Sequence, residues 1–357
     1  MRWIAGVAGV VLLAVVLWDA FETIILPRRV SGRIRLTKVF YRSTWAPWRA
    51  TARLLTGRRR DAFLSFYGPL SLLLLLALWA VGIVLAFGML QWAAGSALTG
   101  GALGFGTDVY MSGTSFFTLG LGDVAPRSAI AKTLTVVESG TGFAFLAAVI
   151  GYFPVIYQAF SRREVAISLL DARAGSPPSA TELLWRHRSD PGAAALVELL
   201  RDWERWAADV LESHLSYPPL GYFRSQHYNE SWVAALATIL DASAIVIVGF
   251  EGAGVRQAEL TFAMARHAVV DLSQVYSTPP RRSDERLPSA QLARLRERLA
   301  QLRRMYEPYV EALSDHLALP LPPWVRERER PDNWQTSAWD RVVQLPQRAP
   351  AVEDDHF

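Results

Sequence analysis

Between Asp61 and Asp108 the chain carries no charged residue. A helix that faces water needs polar residues along its outer side, so an apolar run of this length has to be solvated by something other than water. Residues 69–92, from Pro69 to Trp92, supply the ~20 mostly apolar positions that cross the hydrocarbon core of a bilayer. Two more runs share this character. Residues 3–18 are uncharged, and the apolar stretch continues past Asp19 and Glu22 to Leu26. The last runs from about Ser128 to Phe160, roughly 50 Å at 1.5 Å per residue, and should emerge beyond the bilayer. A secretory leader would open on basic residues and end at a small-residue cleavage site, whereas this chain opens with Arg2 alone and its first run ends in Pro27-Arg28-Arg29. The first run therefore reads as a membrane helix, with Asp19 and Glu22 near its inner end, where a carboxylate costs less than at the midplane.

Basic residues orient these spans. Eleven lie between Arg28 and Arg60 with no acid among them, and Arg162-Arg163 follows the last span. Short basic loops stay on the cytoplasmic side, so the N-terminus is expected outside and the C-terminal half inside the cell membrane. Phe40, Tyr41, Trp45 and Trp48 alternate with the arginines, which suits a helix lying among anionic inner-leaflet headgroups and removes the need for a nucleic-acid partner. A chain of 357 residues that is 51% hydrophobic, with a mean hydropathy of +0.17, combines a membrane part with a soluble part. Cysteine is absent, which excludes disulfides, thiolate metal sites and cysteine nucleophiles. Nearly all basic residues are arginine, with lysine only at Lys38 and Lys132, a codon bias expected of a GC-rich bacterial genome.

The short segment Thr118-Leu119-Gly120-Leu121-Gly122-Asp123 lies between the second and third spans. Glycines separated by one residue let the backbone alternate between left- and right-handed conformations, and four such segments can turn carbonyls toward one axis and replace an ion's hydration shell. Asp108 is placed to cap a helix over Val109 to Phe117, too short to cross, after a Gly-rich external turret at 95–107. Irregular backbone at membrane depth survives only where protein covers it or it lines a wet path. The segment resembles the potassium-channel signature Thr-Val-Gly-Tyr-Gly-Asp at Thr118, Gly120, Gly122 and Asp123. Tyr110-Met111-Ser112 resembles the start of that family's pore helix, Asp123-Val124-Ala125-Pro126 resembles its Asp-x-x-Pro exit, and Gly142 stands where the family keeps a hinge glycine. The resemblance covers roughly residues 62–160. It implies an outer helix, a re-entrant pore helix and filter, an inner helix, K+ as the permeant ion, and a homotetramer because each chain brings one filter.

The departures from the family pattern bear on selectivity. Leu121 stands where most members have an aromatic residue, Leu119 where Val or Ile is usual, and Phe117 replaces a frequent threonine, although leucine occurs at the position of Leu121 in the second filter of some two-pore-domain potassium channels. Glu138 lies inside the last span, where a lone carboxylate is costly unless paired, neutral or beside a wet cavity. It either hydrogen-bonds behind the filter, to Thr114 or Ser115, or is held by a neighbouring helix for assembly. Pro154 removes one helical hydrogen bond near the cytoplasmic end of the same span, so Gly142 and Pro154 are the expected gating positions.

Residues 161–325 show helical apolar spacing punctuated by proline pairs and no alternating strand pattern, so the fold class is all-α. The cluster Gly249 to Gly254 has the wrong spacing for a dinucleotide-binding turn. His227 and Glu230 lie three apart, and His267 and Asp271 four apart. With Asp241 they form a candidate metal set, against the alternative of polar residues satisfying one another in a helical core. Residues 231–250 read either as a buried bundle helix or as a fourth span. The expected domains are thus a transmembrane helix at 1–27, a basic linker at 28–61, a pore domain at 62–160, a helical cytoplasmic domain at 161–325 and a poorly ordered tail at 326–357. Three functions compete: a tetrameric K+ channel, a cation channel that admits Na+, and a membrane-anchored sensor or metal-dependent enzyme with a non-conducting membrane half. No resident cofactor is expected of the channel readings.

Overall fold

A computed structural model describes residues 2–26, 35–100, 104–188, 190–227, 229–250, 253–280 and 293–322. Arg28, Arg29 and the tail expected at 326–357 lie outside the described residues. The chain divides into two compact units, one formed by Met1–Ala52 and Phe66–Gln158, the other by Arg53–Ser65 and Ala159–Phe357. Both are helical, apart from one short two-stranded pairing.

In the first unit, α1 (Arg2–Ile24) packs along α4 (Tyr67–Ala93). Small residues allow the approach: Gly9 faces the Ala86 carbonyl and Met89, and Gly82 faces Val16. At the end of α1 the carboxylate of Asp19 is buried and accepts three kinds of donor. The Thr37 hydroxyl donates at 2.6 Å, the Thr37 amide at 3.1 Å, and the Trp79 indole N–H of α4 at 2.9 Å. Thr37 opens α2 (Leu36–Ala52), so Asp19 also caps that helix. Glu22 pairs with Arg35 at 3.3 Å. The aromatic residues of α2 pack inward: the Trp45 and Trp48 rings lie 4.7 and 5.7 Å from that of Tyr67, while Arg42 and Arg53 are exposed.

A connection then leads to α5 (Phe105–Phe116), which packs on α4 where Gly88 meets Val109. Its N-cap is Gly104, and Asp108 sits inside the first turn. The expectation that Asp108 begins the helix is therefore corrected: its carboxylate takes the Ser96 hydroxyl at 2.7 Å, tying the connection to the helix. Leu98–Thr99 (β1) pairs antiparallel with Ala125–Pro126 (β2), so the connection before α5 is bonded to the chain that follows the glycine segment.

The long helix α6 (Ala129–Ala174) has 46 residues, about 69 Å at 1.5 Å per residue. The span had been expected to end near Phe160. Arg162 and Arg163 mark a change of surroundings without ending the helix. Its end comes at Gly175, in the left-handed region at φ 78°, followed by Pro177 and Pro178.

The second unit holds α3 (Gly57–Ser65), the last part of α6, α7 (Ala180–Arg186), α8 (Asp190–Ser216), a 3₁₀ turn at Pro218–Tyr222, α9 (Trp232–Gly249), α10 (Ala253–Val275), α11 (Ala293–Arg304) and α12 (Glu307–Leu317). Helices α7, α8, α10, α11 and α12 all contact α9 or a helix beside it. The Ser231 hydroxyl accepts the Ala234 amide at 3.0 Å and starts α9. α9 is apolar enough for a span, yet 78% of it is buried within the protein, against 17% for α1 and 22% for α6. It packs as the central helix of the bundle.

Candidate functional site

The C-terminus of α5 delivers the chain directly into the glycine segment. The Phe117 amide donates to Gly113 O at 3.0 Å, the Thr118 amide to Ser115 O at 3.1 Å and the Leu119 amide to Thr114 O at 2.8 Å. From there every second residue is left-handed, with φ of 56° at Thr118, 58° at Gly120 and 77° at Gly122, while Leu119 and Leu121 between them stay at negative φ. A Cβ at Gly120 or Gly122 would meet no atom of this chain within 4 Å, so backbone conformation, and not space, is what calls for glycine there. Residues 117–123 are all exposed on the single chain. Beneath them the ring of Phe116 is buried and lies 5.7 Å from that of Phe145 on α6.

The supports behind this segment differ from those expected. The hydroxyls of Thr114 and Ser115 both turn back to the Met111 carbonyl, at 2.9 and 2.8 Å, and do not meet Glu138. The partner of Glu138 is Ser112, whose hydroxyl oxygen contacts Glu138 Oε1 and also the Val84 carbonyl at 2.6 Å. One side chain thus joins α4, α5 and α6. Gln91 adds a second tie, donating to the Ala131 carbonyl and the Thr135 hydroxyl, each at 3.2 Å. The Tyr110 hydroxyl donates to Asp123 at 2.8 Å and braces the end of the glycine segment from the first half of α5. Leu121 cannot make such a bond. Ser112, Gln91 and Tyr110 were missed as supports; the nearest signal was that 108 and 112, and 84, 88 and 91, share helix faces at spacings of three and four.

Gly142 is closely packed. A Cβ there would run into the Phe116 backbone carbonyl and lie 3.1 Å from Phe116 Cα, so the glycine seats α6 against the end of α5. Pro154 lies inside α6 and is exposed.

The candidate metal set does not assemble. Asp241 is buried and takes the hydroxyl of Tyr306, while His267, 60% exposed, pairs with Asp271 at 3.4 Å one turn away. Among the described residues no three His, Cys, Asp or Glu side chains are placed to hold a metal ion. His227 and Glu230 lie outside regular structure before α9.

The second unit contains a polar clasp that was read from sequence only as a membrane flank. Arg163, on α6, is 1% exposed. It donates to the Leu220 carbonyl at 3.0 Å and the Phe223 carbonyl at 2.7 Å, and pairs with Glu164 at 2.8 Å. His214 donates from Nδ1 to Val210 O at 2.8 Å, which leaves its Nε2 to accept from Arg163 at 3.1 Å. The next residue in that turn region, Arg224, binds Asp61 of α3 at 2.7 Å and the Ala318 carbonyl at 2.7 Å.

Burial, and then the charge of Arg163, hold His214 well below its usual 6.5. The unfolded chain therefore binds a proton that the folded chain refuses, and this contribution to stability is complete above about 6.5 and is lost as pH falls. Thermal unfolding should show an acid limb approaching ~1.4 kcal/mol per pH unit, and His214→Gln should flatten it. Superimposable acid limbs for the two proteins would refute this role.

Comparison with known proteins bears on the same region. Residues 70–158 match a family described as ion channels; the match takes in α4, α5, the glycine segment and α6 to residue 158. A protein of Bacillus subtilis (strain 168) described as "Uncharacterized membrane protein YdjJ" is 25% identical over 191 residues, covering 52% of this chain and 55% of that protein. The chain thus spans about half the length of that relative. No solved structure matches. The family match supports an ion channel of the pore-loop kind in a membrane, not an enzyme.

Proposed function

We propose that this chain is one subunit of a homotetrameric channel that conducts K+ passively across a bacterial inner membrane, through carbonyls of Thr118 to Gly122 with Asp123 at the exit. The observation that carries this reading is the alternation of left-handed residues at 118, 120 and 122, on an exposed segment at the end of a short helix. Such an alternation suits a ring of backbone carbonyls that replaces an ion's water, and the negative end of the α5 dipole favours a cation nearby. Four copies would close the ring. They would also cover Val136, Phe143, Ile150 and Tyr157, exposed apolar residues seven apart on α6.

In this reading the N-terminus is outside, the helical half is cytoplasmic, and the arginines of α2 face anionic inner-leaflet lipids. No nucleic acid takes part. Opening is assigned to bending of α6 at Pro154, below the seat made by Gly142. The cytoplasmic half has a handle for it: the turn region 218–224 holds α6 through Arg163 and α3 through Arg224 and Asp61, and in the chain α3 directly precedes α4 while α6 begins just after the glycine segment. The ligand or stimulus that moves the handle is not assigned.

A second reading, a cation channel that admits Na+, is favoured by Leu121, which puts no hydroxyl behind the carbonyls. Ion flux from purified protein in liposomes decides. The K+ channel should pass K+ at least about tenfold faster than Na+, equivalent to ~1.4 kcal/mol. Equal rates would favour the second reading, and no flux of either ion would sink both.

A further inference from the structure

We propose that Glu138 is a hydrogen-bond donor, and that a relay from Glu138 to Ser112 to the Val84 carbonyl positions the pore helix. The proposal rests on the channel reading for its consequence, but its chemistry follows from counting protons. The Ser112 oxygen makes two short contacts, one to Val84 O at 2.6 Å and one to Glu138 Oε1. A serine hydroxyl has one proton, and a peptide carbonyl has none to give. Two oxygens this close with no proton between them repel. The serine proton therefore goes to Val84, and the proton in the other contact has to come from the Glu138 carboxyl.

The second oxygen of Glu138 agrees with this assignment. Oε2 is buried and has no partner. In a carboxylate it would be a charged acceptor left unsatisfied inside a membrane helix, which is expensive. In a carboxylic acid it is a neutral carbonyl oxygen, which is far cheaper to leave unpaired. The surrounding elements offer no countercharge. α4 has no charged residue, and α5 has only Asp108, one turn before Ser112 and bonded to Ser96. Lys132, earlier on α6, is exposed. The filter exit carries Asp123, bonded to Tyr110.

The relay is directional and crosses three helices: α6 donates to α5, and α5 donates to α4. Pore-helix register, and with it the height of the carbonyls that follow Thr118, then depends on a donor at position 138. Glutamine can donate to Ser112 from its amide, whereas methionine fills similar space and cannot.

The test uses the purified full-length protein and two separate readouts. In infrared difference spectra at neutral pH, wild type minus Glu138→Gln should show a protonated-carboxyl C=O band. Its absence would overturn the proposal whatever the protein conducts, and its presence would support the proposal even if liposome flux were nil and the channel reading had failed. In liposomes, wild-type flux should fall by roughly tenfold or more at alkaline pH, the scale of one lost hydrogen bond to a charged or buried group. Glu138→Gln should conduct without that alkaline fall, and Glu138→Met should lose a similar factor at every pH. Equal flux from the Gln and Met variants, or the same alkaline fall in wild type and Glu138→Gln, would overturn the donor role.

Discussion

Protein carrying Gly142→Ala is expected to lose both thermal stability and ion flux. The added Cβ would run into the Phe116 backbone carbonyl, and that carbonyl belongs to the last turn of α5. Neither side is a flexible side chain that can swing away, so the two helix backbones have to part. Overpacking of this kind costs ~1–3 kcal/mol in each subunit. Because α5 ends where the proposed filter begins, the displacement passes directly to Thr118. A glycine serving only as a hinge predicts something else: an alanine there would leave the folded protein as stable as wild type and change only how readily it opens. Melting of the purified protein beside flux in liposomes separates the two cases, and unchanged values of both would remove the seating role.

Gly120→Ala is expected to abolish flux while leaving the melting temperature close to wild type. Here a Cβ meets no atom within 4 Å, but the residue sits at φ +58°. An L-residue in that region costs ~1–2 kcal/mol, little for a folded subunit and much for the proposed ring, in which four copies would present carbonyls at one radius. Any relaxation toward negative φ turns a peptide plane away from its place. Flux like that of wild type from this variant would withdraw the filter assignment. Both variants are thus expected to lose flux and only Gly142→Ala to lose stability, because one glycine is required for space and the other for backbone conformation.

The spans and the glycine segment were legible because hydropathy and glycine spacing act locally. The uncharged run before Asp108 and the apolar residues after Ser128 announce their helices with no tertiary information. Side-chain partnership was less legible. One reading of Glu138 paired it with Thr114 or Ser115, which lie next to the glycine segment, yet helix hydroxyls often bond their own backbone three or four residues back, and both of these bond the Met111 carbonyl. Ser112 is the one that reaches Glu138 on α6. Asp108 looked like a cap because acids start helices, but the start was already made at Gly104 and the carboxylate was needed by Ser96. Arg163 looked like a membrane flank beside Arg162; its burial depends on carbonyls more than fifty residues later in the chain. α9 could not be told from a span by composition, since a bundle core and a bilayer select the same side chains.

The knot around Asp19 bears on how the protein is made. A buried carboxylate in a membrane helix is costly even toward the helix end unless it is paired, and the donors that satisfy Asp19 lie outside α1. Its donors come from elsewhere: Thr37 arrives eighteen residues later in synthesis and Trp79 sixty. Asp19 therefore gains its partners only once α2 and α4 have been made, and α1 is expected to be less stable in lipid before then. Co-insertion of α1 with α4 as a pair is the expected order, and a nascent chain cut before Trp79 should hold α1 in the bilayer less firmly than one that includes it.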